Sequence, residues 1–145
     1  MTTPPLLMIA EGRRARPRKA PVERPKEITL HMGVAKLLRD YARPGWQWTH
    51  IPGGELRDVR TAAKLRQMGT RRGWPDFLLL SPAGLAHGLE LKRLGEGLKE
   101  DQEAFAAWCA EHGAPHAVAF SIDEALAALD RWGALRLKLT GATDA

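Results

Sequence analysis

The stretch from Pro75 to Arg93 limits this chain more than any other. A wholly apolar run, Phe77 to Leu80, is followed by Ser81-Pro82-Ala83-Gly84 and then by a second strand-like run, Leu85 to Arg93. Turn-forming residues between two short β-favouring runs predict a hairpin. With the turn centred near Ala83, residues whose numbers sum to about 166 face each other across an antiparallel pair. Leu80 then meets Ala86, Leu78 meets Gly88, and Asp76 meets Glu90. Two carboxylates held side by side, with Cβ atoms about 5 Å apart, destabilise a sheet unless something positive lies between them. Period two places Lys92 on the same face as Glu90, one step further along. The opposite face carries Leu85, Leu89 and Leu91 and reads as core. On the charged face Ala86 and Gly88 are small, which leaves space for a metal, a water and a phosphate.

The rest of the chain supplies partners for that hairpin. From Glu27 the residues Leu30, Val34, Leu37, Leu38 and Tyr41 recur at helical spacing until Pro44-Gly45. Trp46 to Ile51 alternates like a strand and closes at Pro52-Gly53-Gly54. A basic helix is expected from about Asp58 to Met68, with Gly69 as its stop. A third runs from about Glu100 to His112, with Phe105, Trp108 and Cys109 on one stripe and Gly113 after it. Ala117 to Phe120 reads as a short strand. Ser121-Ile122-Asp123-Glu124 then opens a last helix carrying Leu126, Leu129 and Trp132. The order α-β-α-β-β-α-β-α implies an α/β fold with a mixed β-sheet flanked by helices. The unit from Leu85 to Phe120 is long enough for a right-handed parallel crossover.

Charge divides the chain. Residues 1–26 hold seven bases and two acids, residues 27–75 nine and four, and residues 76–145 six and eleven. A basic first half suits a polyanion such as DNA or RNA, although a charge run is as often a solvated tail. Residues 1–25 contain five prolines and no apolar period, so they are expected to form a flexible arm. The domain is expected over 26–134, with a tail at 135–145. One Cys in 145 residues builds neither a disulfide framework nor a cysteine-based zinc site, and no apolar run reaches membrane-spanning length. A cytoplasmic protein that avoids membranes is the expectation.

The carboxylate pair suggests metal chemistry. Mg²⁺ is commonly held by one or two carboxylates with water and substrate phosphate completing its shell. Asp76 and Glu90 supply that much, and Lys92 beside them could position or activate a water. Phosphodiester hydrolysis is the reaction class this suggests. At about 100° per residue, Glu27 falls inside the apolar arc of the first helix. A carboxylate turned toward a core is costly unless paired or metal-bound. Glu27 is therefore either a further ligand or a helix N-terminal carboxylate still reached by water.

These residues resemble the PD-(D/E)XK nuclease superfamily, and in finer detail its VRR-NUC domains. The likeness is carried by Glu27-x-x-Leu30, Pro52-Gly53-Gly54-Glu55-Leu56-Arg57, Gly73-Trp74-Pro75-Asp76, Gly88-Leu89-Glu90-Leu91-Lys92, and Gly97-Leu98 with Gln102. It spans about residues 27–133 and implies a restriction-endonuclease-like mixed sheet. By this resemblance Asp76, Glu90 and the Leu91 carbonyl would bind Mg²⁺ or Mn²⁺, Lys92 would serve the nucleophilic water, and Glu27 would match the helix carboxylate. Gln102 matches a glutamine whose role stays unassigned. His31 stands where the family usually has Gln, and Gly53 where Asn often precedes glycine. Small stand-alone members, often phage-borne, look like dimeric endonucleases acting on branched or structured DNA, so DNA and a second copy of the chain are the implied partners.

Other candidates weigh less. His31, His50, His87, His112 and His116 show no zinc-ligand spacing along the sequence. Trp46 and Trp48 alternate with His50, a pattern that serves core packing more often than base stacking. Arg57, Arg60, Lys64, Arg71 and Arg72 lie just upstream of the hairpin and as a cluster suit phosphate contacts, though each singly suits a solvated surface. The rival readings are a catalytically silent DNA-binding module and a structural protein in which Lys92 neutralises both carboxylates.

Overall fold

The structure, a computed structural model, describes residues 26–52 and 58–136, with nothing drawn from the side chains of Lys26 and Glu27. The expected arm and most of the expected tail lie outside those residues, as do Gly53 to Arg57.

Four helices and four strands follow one another as α1 (Lys26–Tyr41), β1 (Gln47–His50), α2 (Val59–Gln67), β2 (Phe77–Leu80), β3 (Ala86–Leu91), α3 (Glu100–His112), β4 (His116–Ala119) and α4 (Ile122–Arg131). That is the order read from the sequence. The strands form one sheet in the order β1-β2-β3-β4. β1 and β3 both run antiparallel to β2, while β4 lies parallel to β3 after the α3 crossover. The hairpin register is Phe77↔Leu89, Leu78↔Gly88, Leu79↔His87 and Leu80↔Ala86, as the turn centre predicts.

One face of the sheet is the core. Phe77, Leu79, Leu89 and Leu91 are buried there together with Val34 and Leu38 of α1 and Ala125, Ala128 and Leu129 of α4. Helix α4 is held in place at its start by Ser121, whose Oγ accepts from the Glu124 amide. The Glu124 carboxylate reaches one residue further back than a capping box requires and accepts from the Phe120 amide. The other face is covered by α3, which ends at Gly113 in a left-handed turn. Helix α2 begins at Asp58, whose carboxylate accepts from the Thr61 amide, a bond that holds this exposed acid below its ordinary pKa. No residue of α2 is buried.

The structure corrects four expectations. Leu85 precedes β3 and is 46% exposed, because the turn retains it and the core face begins only at His87. Trp108 is 54% exposed and stacks on His112 instead of joining the stripe that buries Cys109. Tyr41, inside the apolar arc by spacing, sits in the last turn of α1 and is 38% exposed. The space expected over Gly88 is narrowed at the residue itself, since a Cβ there would lie 3.0 Å from Pro75 Cγ and 3.1 Å from His116 Cδ2, and the room lies alongside, in a cavity that Gly88 and Ala86 help to line. Trp46 and Trp48 pack against the core cluster.

Gly73 secures the approach to Asp76. It has φ +86, and a Cβ there would fall 2.4 Å from the Asp101 carbonyl oxygen at the start of α3. Gly84 shares a positive φ but has nothing within 4 Å of its missing Cβ. Gly73→Ala should therefore lower stability by more than about 1 kcal/mol, and by clearly more than Gly84→Ala, measured as urea-unfolding midpoints. Equal losses would remove the close approach as the cause.

Two histidines add a pH dependence. Burial lowers the pKa of His87, which lies between the rings of Trp46 and Trp132, and it also lowers that of His116. A histidine whose folded pKa is depressed binds protons more readily when unfolded, so stability should fall as pH drops below about 6.5. His87→Phe should flatten part of that fall, read from unfolding midpoints across the acid range.

Candidate functional site

The site is built at one end of the β2–β3 pair. Pro75 is buried against Gly88 and delivers Asp76 to the start of β2. The Asp76 carbonyl accepts from the Ile51 amide at 2.7 Å, which carries the β1–β2 pairing one residue past the named strands. The Asp76 side chain does the equivalent on its other flank, because Oδ2 accepts from the Leu91 amide at 2.7 Å. One residue therefore ties three strands together, and its second oxygen, Oδ1, lies 3.5 Å from His31 Nε2.

Glu90 and Lys92 flank Leu91 on the strand that Asp76 grips. Both are almost fully buried, at 3% and 5% exposure. Buried charges are tolerated when paired and hydrogen-bonded. Gln102 Nε2, from the first turn of α3, donates to Glu90 Oε1 at 2.9 Å, and Lys92 Nζ stands 4.0 Å from the same oxygen. The Gln102 Oε1 atom accepts from the Lys99 amide at 2.9 Å. That second bond fixes the side-chain amide with its donor end toward Glu90. The glutamine without an assigned role in the sequence is thus a support for the Glu90 carboxylate.

A third feature was not visible along the chain. Nε2 or Nδ1 of His31 and His50 and a carboxylate oxygen of Asp76 all lie within 4.8 Å of one another. The two imidazole rings are 5.1 Å apart between centroids, and each stands beside Phe77. Glu90 is outside this trio. His31 lies three residues before Val34 and seven before Leu38, so helical geometry turns it toward the sheet. His50 follows Trp48 by two and pairs across β1–β2 with Phe77. The available signal was a polar residue at the end of each apolar stripe. A search for ligand spacing along the sequence passes over it, because the two histidines meet only through the register of β1 on β2.

The remaining candidates are placed as follows. Arg60 and Lys64 are exposed on α2, and Arg71 and Arg72 are exposed in the segment leading to Gly73. The two arginines, with Trp74, Phe105 and Trp108, border a cavity of about 710 Å³ over the α3 side of the sheet. Arg57 and the Glu27 side chain lie outside the described residues.

A solved structure described as a VRR_NUC domain superposes with a TM-score of 0.51 and 17% sequence identity, over 74% of this chain and 97% of that one. The chain has a VRR-NUC fold. At that identity the likeness is one of fold, a restriction-endonuclease-like mixed sheet between helices. No protein-family model and no curated protein matches the chain. On the VRR-NUC scaffold, Asp76 on one side and Glu90, Leu91 and Lys92 on the other occupy adjoining strands.

The Gln102 bond sets up a direct test. Gln102→Leu leaves a buried carboxylate oxygen short of a donor and should cost about 1 to 3 kcal/mol. Gln102→Glu brings a like charge to the same oxygen and should cost more. Both are read by urea unfolding near neutral pH, and a neutral result for Gln102→Glu would show that Glu90 does not depend on that donor.

Proposed function

We propose that this protein is a divalent-metal-dependent DNA endonuclease, a hydrolase of phosphodiester bonds whose substrate is branched or otherwise structured DNA. The observation that carries the reading is the arrangement around Leu91: its amide is held by Asp76, and the buried Glu90 and Lys92 stand on either side of it, on a VRR-NUC fold.

The residues fit a hard divalent cation. Asp76 has one carboxylate oxygen committed to Leu91 and the other 3.5 Å from His31 Nε2, where an ion could join it, and carboxylate, backbone carbonyl and water oxygens are the donors Mg²⁺ and Mn²⁺ prefer. Asp76, Glu90 and the Leu91 carbonyl would hold the ion, with Glu27 as the further carboxylate on α1. A bound cation would neutralise charge on the phosphate and favour attack on it.

The chain's own groups do the rest. Gln102 restrains Glu90 through a bond to Oε1, and Lys92 Nζ stands 4.0 Å from that same oxygen. Lys92 holds a cationic amine in a largely dry setting, where it orients the attacking water and offsets charge that develops as phosphorus gains an oxygen. The phosphodiester bond to the departing sugar oxygen breaks, and the proton given up by the water passes to that oxygen or to solvent. Arg60, Lys64, Arg71 and Arg72, with Arg57, would contact flanking phosphates and set register without reading sequence. Cutting both strands at a branch calls for two such sites, hence a homodimer. Among the described residues no helix is long and apolar enough to cross a membrane, and on this reading the protein acts on DNA in the cytoplasm of a bacterium or of a phage-infected cell.

The test is a cleavage panel of linear, flapped, splayed and four-way DNA with Mg²⁺, with Mn²⁺ and with EDTA. The wild type should cut a branched member with either metal and stop with EDTA. Lys92→Met and Asp76→Asn, which keep side-chain size, should cut at least about a hundredfold more slowly while still retarding DNA in a gel. A wild type that retards every substrate and cuts none would instead be a binding module.

A further inference from the structure

The geometry points to a nitrogen-donor metal site formed by His31, His50 and Asp76, which takes a first-row transition-metal dication in preference to Mg²⁺. This rests on the proposed nuclease reading only in that Asp76 serves both.

Three observations support it. The donor atoms of these side chains lie within 4.8 Å of one another. Ligands around one ion at about 2.1 Å stand roughly 3 to 3.5 Å apart, so His31 Nε2 and Asp76 Oδ1, at 3.5 Å, already have the required separation. The other two separations, both to His50 and each within 4.8 Å, close with a shift of about an ångström, within what an imidazole gains by turning about χ2. Next, His31 Nε2 is buried and makes no hydrogen bond, since its approach to Asp76 lacks hydrogen-bond alignment. A buried ring nitrogen without a partner is uncommon and costs desolvation energy; a metal bond along its lone pair would satisfy it. Finally, the donors sit on packed elements. Both imidazoles lie against Phe77, and Asp76 is fixed by Leu91, so the trio is preorganised before any ion arrives.

The donor set decides which ion. Two imidazoles and one carboxylate leave open positions for water or a phosphate oxygen, and imidazole favours zinc, cobalt, nickel and iron, whereas Mg²⁺ seeks oxygen and gives up its water reluctantly. The pair of histidines would therefore shift the ion at Asp76 from magnesium toward a transition metal.

The experiment uses the full chain without an affinity tag, stripped of metal, and without DNA. Titration with CoCl2 should give one equivalent of binding with a visible ligand-field absorption, and about a hundredfold excess of MgCl2 should leave that absorption in place. His50→Ala and the milder His31→Gln should each weaken cobalt binding by about tenfold or more, with metal-free thermal melts confirming that the variants fold. His112→Ala, on the exposed end of α3, should leave binding unchanged. Cobalt binding that survives His50→Ala, or that magnesium abolishes at equal concentration, would overturn the proposal and leave His31 and Asp76 as an ion pair only. Because DNA is absent, a chain that binds cobalt as described but cuts nothing would sink the nuclease reading and leave this one standing.

Discussion

The register of β3 on β2 decides where every charged group of the site stands. Side chains alternate along a strand, so a slip of one residue exchanges its two faces. In the observed register Leu89 and Leu91 enter the core, while Glu90 and Lys92 face α3. A one-residue slip would drive both charges into the layer formed by Val34, Leu38 and Leu129, at a cost of several kcal/mol for each ion. It would also remove Leu89 and Leu91 from burial worth about 1.5 to 3 kcal/mol apiece. Asp76 adds a local lock, since its carboxylate occupies the Leu91 amide just beyond the last paired residue of β2.

That lock couples fold to chemistry in a specific way. A backbone carbonyl in the place of Asp76 Oδ2 would satisfy Leu91 equally well and extend the ladder. Using a side chain instead ends the β2–β3 pairing while keeping the strands together, and it leaves a carboxylate oxygen at the sheet's end. The Asp76 carbonyl meanwhile accepts from Ile51 and draws β1 to the same end, so His50 arrives beside the acid as a consequence of backbone pairing. The positive φ of Gly73 and its close approach to α3 bring the incoming segment in from the other side.

What the sequence made legible was local. The hairpin register followed from one turn and a period of two, and α3 was bounded correctly by Glu100 and Gly113 because cap signals act within one turn. The element order and the mixed sheet followed from those pieces. What stayed hidden depends on packing between elements. Gly88 looked like open space, yet Pro75 and His116 crowd it closely on one side. Leu85 looked like core by alternation alone, but the strand had not begun. Gln102 had a matching motif and no role until α3 was seen lying over Glu90. His31 and His50 are nineteen positions apart, and nothing short of the β1–β2 pairing places them beside Asp76.

The Glu90 and Lys92 pair is the place where stability gives the weakest account of the sequence. Replacing a buried ion pair by apolar residues of similar volume is often neutral or stabilising, and β4 already offers an apolar neighbour in Val118, opposite Glu90. The fold instead supplies Gln102 to support the carboxylate, and holds the amine 4.0 Å away, beyond hydrogen-bond length. A pair selected for cohesion would close that gap to about 2.8 Å. An amine and a carboxylate held side by side in a largely dry setting are placed to act together on a third group. Local rules of burial are broken most often where a protein acts, and here they are broken at the two residues that flank the strand position Asp76 holds.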